Sequence, residues 1–394
     1  MKNVLLYYSF GFALGGGEYL PLAFIAMLQK LCNLTVAVDV AGSLERSYRA
    51  FGAGLDIDLE KLRVVQVTPP GYDPLRHDAI ASLRRARRLK ALAREADVCI
   101  SAANIMDFGK RAHHFINMVA FGDDAFADYA HDHADGSHHA GALARAKRFL
   151  SNSILRPLLG LRPKRSIICD ASQHVYPNSR YVEKLMESFY GRFNSSVFYP
   201  PTLFRAEPAA AERDPLKVVY IGRIIPGKRI EELVDIVERV RAATGLEVTF
   251  QLAGRLDQTP AYGQKLNLMA TERNWLKFVG ELYGDDKTRF LTSGSYAIHA
   301  ERDEAFGISV AEYLLSGLIP IVPDEGGTPE IVDSPALTYR DDEGAARILE
   351  RLLADAAFRE DQARHCAERA KLFTREAYFE RQRELLHRII DSEQ

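Results

Sequence analysis

Short apolar runs alternate along this chain with longer stretches in which apolar residues recur every three or four positions. The apolar runs of the first half have the length and composition of buried strands, and they are Val4–Tyr8, Leu34–Val40, Val64–Val67, Val98–Ser101 and Phe115–Val119. Helical periodicity separates most of them, as in Ser82–Glu95, where leucines share one side. Because strands that alternate with helices pair in parallel, the pattern predicts an α/β fold.

The second half repeats this rhythm more clearly. After the strand predicted at Lys217–Ile221, apolar positions from Ile230 to Val240 are spaced by three and four and predict a helix. The remaining predicted elements are strands at Val248–Leu252, Tyr296–His299 and Ile319–Val322 and an amphipathic helix at Glu376–Ile390. Parallel sheets bind ligands at the carboxyl ends of their strands, so we expect the chemistry in the loops that follow these strands.

The segment 200–215 breaks both patterns, with four prolines in sixteen residues and no apolar period. Proline fixes φ and removes a backbone donor, so we interpret this segment as an interdomain linker. The length of 394 residues also fits two domains. We predict one Rossmann-like domain at 1–199, a second at 216–375, and a helix at 376–394 that packs back toward the first domain.

Composition narrows the class of protein. Hydrophobic residues make up 47% of the chain and charged residues 26%, which excludes a disordered, collagen-like or coiled-coil protein. No run of 18 apolar residues is present, and the N-terminal MKNVLLYYSF lacks the cleavage pattern of a signal peptide. The four cysteines lie far apart, which is typical of reduced core cysteines, so we expect a cytoplasmic protein.

Charge is distributed unevenly between the two halves. Residues 1–200 contain 25 Lys and Arg against 19 Asp and Glu, and residues 201–394 contain 26 against 34, for a net charge of −2. The overall balance argues against a nucleic-acid partner. The basic half favours an anionic or membrane-held partner, and the run Arg84–Lys90 is either a peripheral contact with anionic membrane lipids or a solvated helix face.

Two cations follow the strand at Lys217–Ile221. Arg223 and Lys228 lie between that strand and the start of a helix, where backbone N–H groups carry partial positive charge. Two fixed cations beside a helix start suit a diphosphate. The plain structural alternative is a basic turn.

Two carboxylates follow the strand at Tyr296–His299. Glu304 lies in the loop before a helix, and an ionised carboxylate accepts hydrogen bonds from ligand hydroxyls. The amides of Phe306, Gly307 and Ile308 would point at an anion, and Glu312, two turns on, would accept from a ribose. The alternatives are a carboxylate that favours a helix dipole at Glu304 and a buried or paired glutamate at Glu312.

Glycine-rich turns follow two further strands. Gly326 and Gly327 permit positive φ and close approach of the backbone to a ligand. Gly15, Gly16 and Gly17 follow the first strand and would admit a phosphate or sugar. A plain loop and a tight strand-to-helix turn are the respective alternatives.

The order and spacing of these motifs are more specific than each motif alone. The set GRxxxxKR from Gly222, ExFGxxxxE from Glu304 and a GGxxE loop resembles the family-4 glycosyltransferases of GT-B fold. Supporting matches are the glycine turn at 15–17, the Pro177-Asn178-Ser179 segment and the exit at Tyr199-Pro200-Pro201. The resemblance implies two Rossmann-like parallel-sheet domains that face each other across a cleft.

This resemblance also implies an activity and site roles. Such enzymes transfer a sugar from a nucleotide diphosphate sugar, with a UDP- or GDP-sugar as donor, and retain its anomeric configuration. The acceptor is a glycan, a lipid-linked glycan or a small molecule, in cell-surface glycan biosynthesis. No cofactor and no metal are expected beyond the donor, because cations and helix ends neutralise the diphosphate.

By motif match, specific residues take specific roles. Arg223 and Lys228 would bind the diphosphate, Glu304 the sugar hydroxyls and Glu312 the ribose. The donor-binding set is completed by Gly16, Gly17, Phe306, Gly307, Ile308 and Gly327.

One departure concerns the N-terminal domain. Many relatives carry a catalytic histidine after the strand that corresponds to Phe115–Val119, and here Asn117 stands near that position. We expect Asn117 or Asp123 to line the acceptor side. The same strand and Tyr199-Pro200-Pro201 also resemble mannosyltransferases of lipid-linked oligosaccharide assembly.

Three other interpretations stay open at this stage. Asp39 lies about 20 residues after the glycine turn, where an NAD-binding oxidoreductase has its ribose-binding acid, although GFALGGG is not GxGxxG. A non-catalytic nucleotide-sugar binding protein and a phosphorylase or epimerase are the others. The histidines of HDHADGSHH, residues 131–139, form either a metal site or a polar loop.

Overall fold

The structure is a computed structural model, and it describes residues 1–9, 16–52, 54–72, 79–102, 104–116, 150, 154, 156–158, 160–202, 204, 213–256 and 260–392. The chain divides into two compact units. Unit 1 comprises Met1–Pro201 together with Phe379–Gln394, and unit 2 comprises Thr202–Tyr378. The last helix of the chain therefore begins in unit 2 and ends in unit 1.

Unit 1 is built on a six-stranded parallel sheet. The strands are β1 Asn3–Tyr8, β2 Asn33–Val38, β3 Arg63–Gln66, β4 Val98–Ser101, β5 His113–Ile116 and β6 His174–Pro177. Their order is β3-β2-β1-β4-β5-β6, and each neighbouring pair is parallel. Strands buried on both faces read as nearly continuous apolar runs, which is why β1 and β4 were clear in the sequence.

The described helices of unit 1 follow its strands. They are α1 Tyr19–Leu31, α2 Ser43–Phe51, α3 Ala79–Ala93, α4 Arg156–Leu158, α5 Lys164–Ile168 and α6 Arg180–Tyr190. A core beneath α3 contains Leu5, Tyr7, Leu89 and Phe108, all 2% exposed or less. Burial of such side chains contributes about 1.5–3 kcal/mol each, so α3 is fixed to the sheet by its leucine side.

Unit 2 contains a second six-stranded parallel sheet. Its strands are β7 Lys217–Ile221, β8 Thr249–Ala253, β9 Leu276–Gly280, β10 Tyr296–Ile298, β11 Ile319–Pro323 and β12 Thr338–Tyr339. The order is β12-β11-β10-β7-β8-β9. Both sheets therefore place their first and fourth strands side by side, which is the point where the chain direction across a doubly wound sheet reverses.

The described helices after α6 belong to unit 2, except that the last one crosses into unit 1. They are α7 Ile230–Thr244, α8 Pro260–Glu272, α9 Gly284–Thr292, α10 Ile308–Leu315, α11 Thr328–Val332, α12 Asp342–Ala354, α13 Ala356–Ala370 and α14 Arg375–Asp391. Among the residues that the structure describes, no helix combines the length and the apolar character needed to cross a membrane.

The α/β prediction is confirmed, with differences at particular elements. Strand β7 has the predicted bounds, and β2 ends at Val38 rather than Val40. Helix α3 begins three residues before the predicted Ser82. Strands β6, β9 and β12 were missed, because β6 is the short run HVYP, β9 has polar and exposed positions, and β12 has two residues.

Candidate active site

Three loops meet at the carboxyl edge of the unit 2 sheet. The first follows β7 and carries Arg223 and Lys228, the second follows β10 and carries Glu304, and the third follows β11 and carries Gly327. Strand β10 pairs with both β7 and β11, so the three loops are neighbours. The sheet order thus brings together the three motifs that the sequence keeps about 75 and 25 residues apart.

Lys228 spans the reversal point between β7 and β10. It ends a short 3₁₀ turn, Pro226–Lys228, that follows β7 directly before α7. Its ammonium lies 2.6 Å from Glu304 Oε2 and also contacts the Glu301 carboxylate. One cation therefore holds two carboxylates that come from the neighbouring strand.

Charge at Glu304 is fixed by its surroundings. Burial alone would raise the pKa of the Glu304 carboxyl, but the Lys228 ammonium and the His299 ring outweigh it and hold that pKa well below its usual range. The side chain is 22% exposed, so a ligand can reach it. Glu304 is consequently an ionised acceptor at neutral pH, as binding to hydroxyl groups requires.

His299 lies beside Glu304, and no role was predicted for it from the sequence. The ring is buried, its Nε2 is 3.6 Å from Glu304 Oε2, and it stacks at 6.4 Å on the Tyr220 ring. Burial lowers the pKa of His299, which keeps the ring neutral at pH 7. A histidine at the carboxyl end of a predicted strand was the signal in the sequence that could have indicated this residue.

Backbone contacts hold the Glu304 loop in place. The N–H of Gly327 donates to the Glu304 carbonyl oxygen at 2.7 Å, and the Tyr339 hydroxyl donates to the His299 carbonyl oxygen at 2.6 Å. Gly326 has φ of +78°, and a Cβ there would lie 2.5 Å from the Arg302 carbonyl oxygen. The glycine pair therefore packs against the Glu304 loop, which is a structural reason for both glycines.

Helix α10 begins directly after this loop. Gly307 precedes it with φ of +101°, and Phe306 is buried. The first N–H groups of a helix have no partner within the helix, so the start of α10, from Ile308, offers donors to an anion. The Tyr313 hydroxyl accepts from the Ile221 N–H at 2.9 Å and thereby ties α10 to the end of β7.

Glu312 and Arg223 differ from each other in their partners. The Glu312 carboxylate is buried and accepts from Lys287 Nζ at 2.6 Å, so its present contact is that of the paired glutamate considered above. Arg223 is exposed, and no hydrogen bond or ion pair engages its guanidinium within the described ranges. The Arg223 guanidinium is thus available to a ligand, whereas the Lys228 ammonium is already held by two carboxylates.

Unit 1 holds the remaining predicted site residues. Gly16 and Gly17 form a 3₁₀ turn with Glu18 that leads into α1. A Cβ at Gly17 would meet no atom within 4 Å, so packing does not require a glycine there. Asn117, Asp123, Gly15 and the histidines of 131–139 lie outside the described residues.

Asp39 directly follows β2 and is 1% exposed. Its carboxylate accepts from the Tyr7 hydroxyl at 3.1 Å, from Ser9 Oγ at 2.8 Å and from an Arg85 guanidinium nitrogen at 3.1 Å. A buried carboxylate with these three partners has a structural role. This arrangement weakens the case for Asp39 as a ribose-binding acid of an NAD-dependent enzyme.

His299, Glu301 and Glu304 are also close enough to be considered as metal ligands. Each offers one ligand atom, and these atoms lie within 4.8 Å of one another. The Lys228 ammonium contacts both carboxylates and therefore occupies the position between them with a cationic group of the protein itself.

Comparison with known proteins places part of the chain in a family. Residues 204–373 match the family model described as "Glycosyl transferases group 1". A GDP-Man:Man(3)GlcNAc(2)-PP-Dol alpha-1,2-mannosyltransferase of Candida glabrata is 27% identical over 164 residues, which are 38% of this chain and 32% of that protein. The gpi3 subunit of phosphatidylinositol N-acetylglucosaminyltransferase from Schizosaccharomyces pombe is 28% identical over 132 residues, 33% of this chain and 28% of that protein. The chain thus spans about a third of these relatives.

Solved structures match nearly the whole chain at low identity. HepE of Anabaena, in complex with UDP and glucose, has a TM-score of 0.64 and 16% identity, and the match covers 98% of this chain and 100% of that one. Sucrose-phosphate synthase from Thermosynechococcus elongatus has a TM-score of 0.67 and 16% identity, with full coverage of both chains. Residues 204–373 therefore belong to the group 1 glycosyltransferases, and the chain as a whole has the GT-B fold.

Proposed function

We propose that this protein is a retaining glycosyltransferase that moves a sugar from a nucleotide diphosphate sugar to an acceptor hydroxyl. One observation carries the proposal: Arg223, Lys228 and Glu304 lie on adjacent strand ends of a unit that belongs to the group 1 glycosyltransferases. The cations would bind the diphosphate and Glu304 the sugar hydroxyls. Gly16, Gly17, Gly327 and the start of α10 would contact the donor, and Glu312 would reach its ribose.

The chemistry requires stabilisation of a leaving diphosphate. The bond from the anomeric carbon to the diphosphate oxygen breaks, and a bond to the acceptor oxygen forms on the same face of the sugar. The acceptor proton passes to the leaving phosphate oxygen. Negative charge grows on the diphosphate in the transition state, so Arg223 and Lys228 would stabilise that state more than the ground state.

Lys228 would also supply the positive charge that a metal supplies in other phosphate sites. Its ammonium already bridges Glu301 and Glu304, so no metal is needed to keep these carboxylates together. We therefore propose metal-independent transfer. Addition of EDTA should leave turnover unchanged, and loss of turnover that Mg²⁺ or Mn²⁺ restores would contradict this part.

The similar proteins narrow the choice of donor and acceptor. The Candida protein is named as using GDP-Man on a dolichol-linked glycan, and HepE was solved with UDP and glucose. We propose a UDP- or GDP-sugar as donor and a glycan, lipid-linked or small-molecule acceptor in cell-surface glycan biosynthesis. The basic first half supports action in the cytoplasm, at the surface of an anionic membrane.

A non-catalytic nucleotide-sugar binding protein is the second candidate. It is favoured by one sequence observation, that Asn117 stands where many relatives have a histidine. Donor hydrolysis or transfer by the purified protein would exclude it. Binding of a nucleotide sugar without either reaction would establish it.

A thermal-shift series with UDP, GDP and their sugars tests the donor site. We expect one nucleotide to raise the melting temperature, because a ligand that binds only the folded state stabilises it. Arg223→Gln should remove most of this shift. Arg239→Gln, which removes another exposed arginine from α7, is the matched control. No shift with any nucleotide, or an unchanged shift in Arg223→Gln, would contradict the assignment.

A further inference from the structure

Helix α3 carries five cationic side chains that differ in whether they have an ion-pair partner. Arg85 is paired with Asp39, and Lys90 lies 2.8 Å from the buried Asp107 carboxylate. Arg84, Arg87 and Arg88 are exposed, and within the described part of the chain none of the three has a hydrogen-bond or ion-pair partner. The helix Ala79–Ala93 contains no acidic residue that could neutralise them.

The three unpaired arginines share one face and line an open cavity. Their spacing of three and four residues places them side by side on the helix. The cavity has a volume of about 500 Å³, and its other wall is the loop 67–70 that follows β3. It therefore lies at the carboxyl edge of the unit 1 sheet, the edge at which doubly wound sheets bind ligands.

Both walls of the cavity are held by the same residue. The Thr68 hydroxyl donates to the backbone carbonyl of Asp39, and the Asp39 carboxylate accepts from Arg85 of α3. Pro69 and Pro70 further restrict the loop, because proline fixes φ. Asp39 thus positions loop 67–70 relative to α3, and the arginines face a preformed space.

Three like charges at this spacing repel one another, which an anion would relieve. Guanidinium groups bind phosphate oxygens in a two-pronged geometry, and a cavity that collects three of them matches a group with several anionic oxygens. Loop 67–70 supplies no backbone donor at Pro69 or Pro70, so recognition would come from the side chains of α3.

We propose that Arg84, Arg87 and Arg88 form a binding site for a phosphate group of the acceptor. The identity of this ligand as acceptor rests on the proposed function, since unit 2 would hold the donor. The existence of the site does not rest on it, because the arginines, the cavity and the Asp39 anchor belong to unit 1 alone.

The test compares two triple variants of the full chain. Arg84→Gln/Arg87→Gln/Arg88→Gln removes the site. Arg49→Gln/Arg94→Gln/Arg192→Gln removes the same charge from unit 1 at three other exposed arginines, which the cavity does not include. Calorimetric titration with inorganic pyrophosphate measures soluble phosphate. Sedimentation with phosphatidylcholine vesicles that contain phosphatidic acid measures phosphate on a lipid.

We expect the cavity triple to weaken binding by about tenfold or more relative to the control triple, at low salt. Loss in the pyrophosphate arm alone would assign a soluble phosphorylated acceptor, and loss in the vesicle arm alone a lipid headgroup. Equal behaviour of both triples in both arms would overturn the proposal. Pyrophosphate that binds at Arg223 and Lys228 under the proposed function would contribute equally to both triples, so only the difference between the triples reports on the cavity.

Nucleotide binding separates this proposal from the proposed function. The thermal shift produced by UDP or GDP depends on unit 2 and should be the same in both triples. Absence of that shift with retained arginine-dependent phosphate binding would refute the donor assignment and leave the cavity site intact. The reverse result would refute the cavity site and leave the donor assignment intact.

Discussion

Asp39 in unit 1 and Glu304 in unit 2 both follow a strand at the carboxyl edge of a sheet, but they differ in what surrounds them. Asp39 is 1% exposed and its partners are Arg85, Tyr7 and Ser9. Glu304 keeps 22% of its side chain exposed beside Lys228. The Asp39 carboxylate is buried among its structural partners, whereas a ligand can reach the Glu304 carboxylate.

The two sheets have the same strand order, but the charged residues at their carboxyl edges differ in their partners and their exposure. In unit 1 the buried pair leaves Arg84, Arg87 and Arg88 outside and unpaired within the described residues. In unit 2 the pair itself occupies the reversal point of the sheet, where ligands bind in this class of fold. A carboxylate after a strand is therefore informative about function only when its exposure and partners are known.

Removal of Asp39 should have the largest effect on stability. Asp39→Ala leaves the largely buried Arg85 guanidinium and the Tyr7 hydroxyl without their acceptor, so we expect the free energy of unfolding to fall by about 3 kcal/mol or more. Urea denaturation measures it. Asp56→Ala, which removes a carboxylate that is 83% exposed and paired with Lys30, should cost about 1 kcal/mol or less. Equal losses in the two variants would contradict the contrast.

Removal of Glu304 should act on catalysis instead. Glu304→Ala is expected to lower the transfer rate about 100-fold, by analogy with the loss of a single stabilising group in other active sites. Its unfolding free energy should change little, because Lys228 keeps Glu301 as a partner. Glu325→Ala removes an exposed carboxylate after the neighbouring strand and is the control. Unchanged turnover in Glu304→Ala with a true donor would refute the site.

Acid should weaken unit 1 through two buried histidines. Burial lowers the pKa of His113 to about 3 and that of His114 to about 4. In the unfolded chain these two rings bind protons below about pH 6.5, whereas in the folded chain they do so only at about pH 4 and below. Their contribution to the free energy of unfolding is therefore fully present above pH 6.5 and falls as the pH drops. Each ring should cost about 1 kcal/mol between pH 7.5 and pH 5.5.

A histidine variant makes this pH effect specific. His113→Phe should reduce the difference in unfolding free energy between the two pH values by about 1 kcal/mol. His387→Gln, at an exposed position of α14, should leave the difference intact. An unchanged pH dependence in His113→Phe would assign the effect to other groups.

The smallest expected effect concerns Glu301. Glu301→Gln removes one of the two carboxylates that hold Lys228, so the ammonium becomes more available to a diphosphate. We expect UDP or GDP to bind about threefold more tightly, since a like charge beside the phosphates is also lost. Calorimetry on both proteins measures the change. Weaker nucleotide binding would mean that Glu301 is needed to position Lys228.

Sequence patterns predicted the sheets well because buried parallel strands are continuous apolar runs. Strand β7 was located to the residue, and the motifs after β7, β10 and β11 were expected at one edge because parallel strands end together. Strands β6, β9 and β12 lacked such runs. Their formation depends on neighbouring strands, which local periodicity does not report.

Partners at the site were harder to predict than its position. Lys287, which pairs with Glu312, and Glu301, which pairs with Lys228, are ordinary charged residues in the sequence. Only the folded geometry selects them from the 104 Lys, Arg, Asp and Glu residues of the chain. The glycines at 326 and 327 were interpreted as space for a ligand, and the structure adds that they pack on the Glu304 loop.

The assignment of Phe379–Gln394 to unit 1 has a consequence for biosynthesis. Unit 2 is one uninterrupted stretch of polypeptide, so it can fold as a complete unit once that stretch has emerged from the ribosome. Unit 1 receives part of its core, including the buried Leu386 and Ile389, only when residues 379–394 emerge. We expect residues 1–201 to complete their folding only after that segment has been synthesised. Unit 1 would then begin synthesis first and finish folding after unit 2.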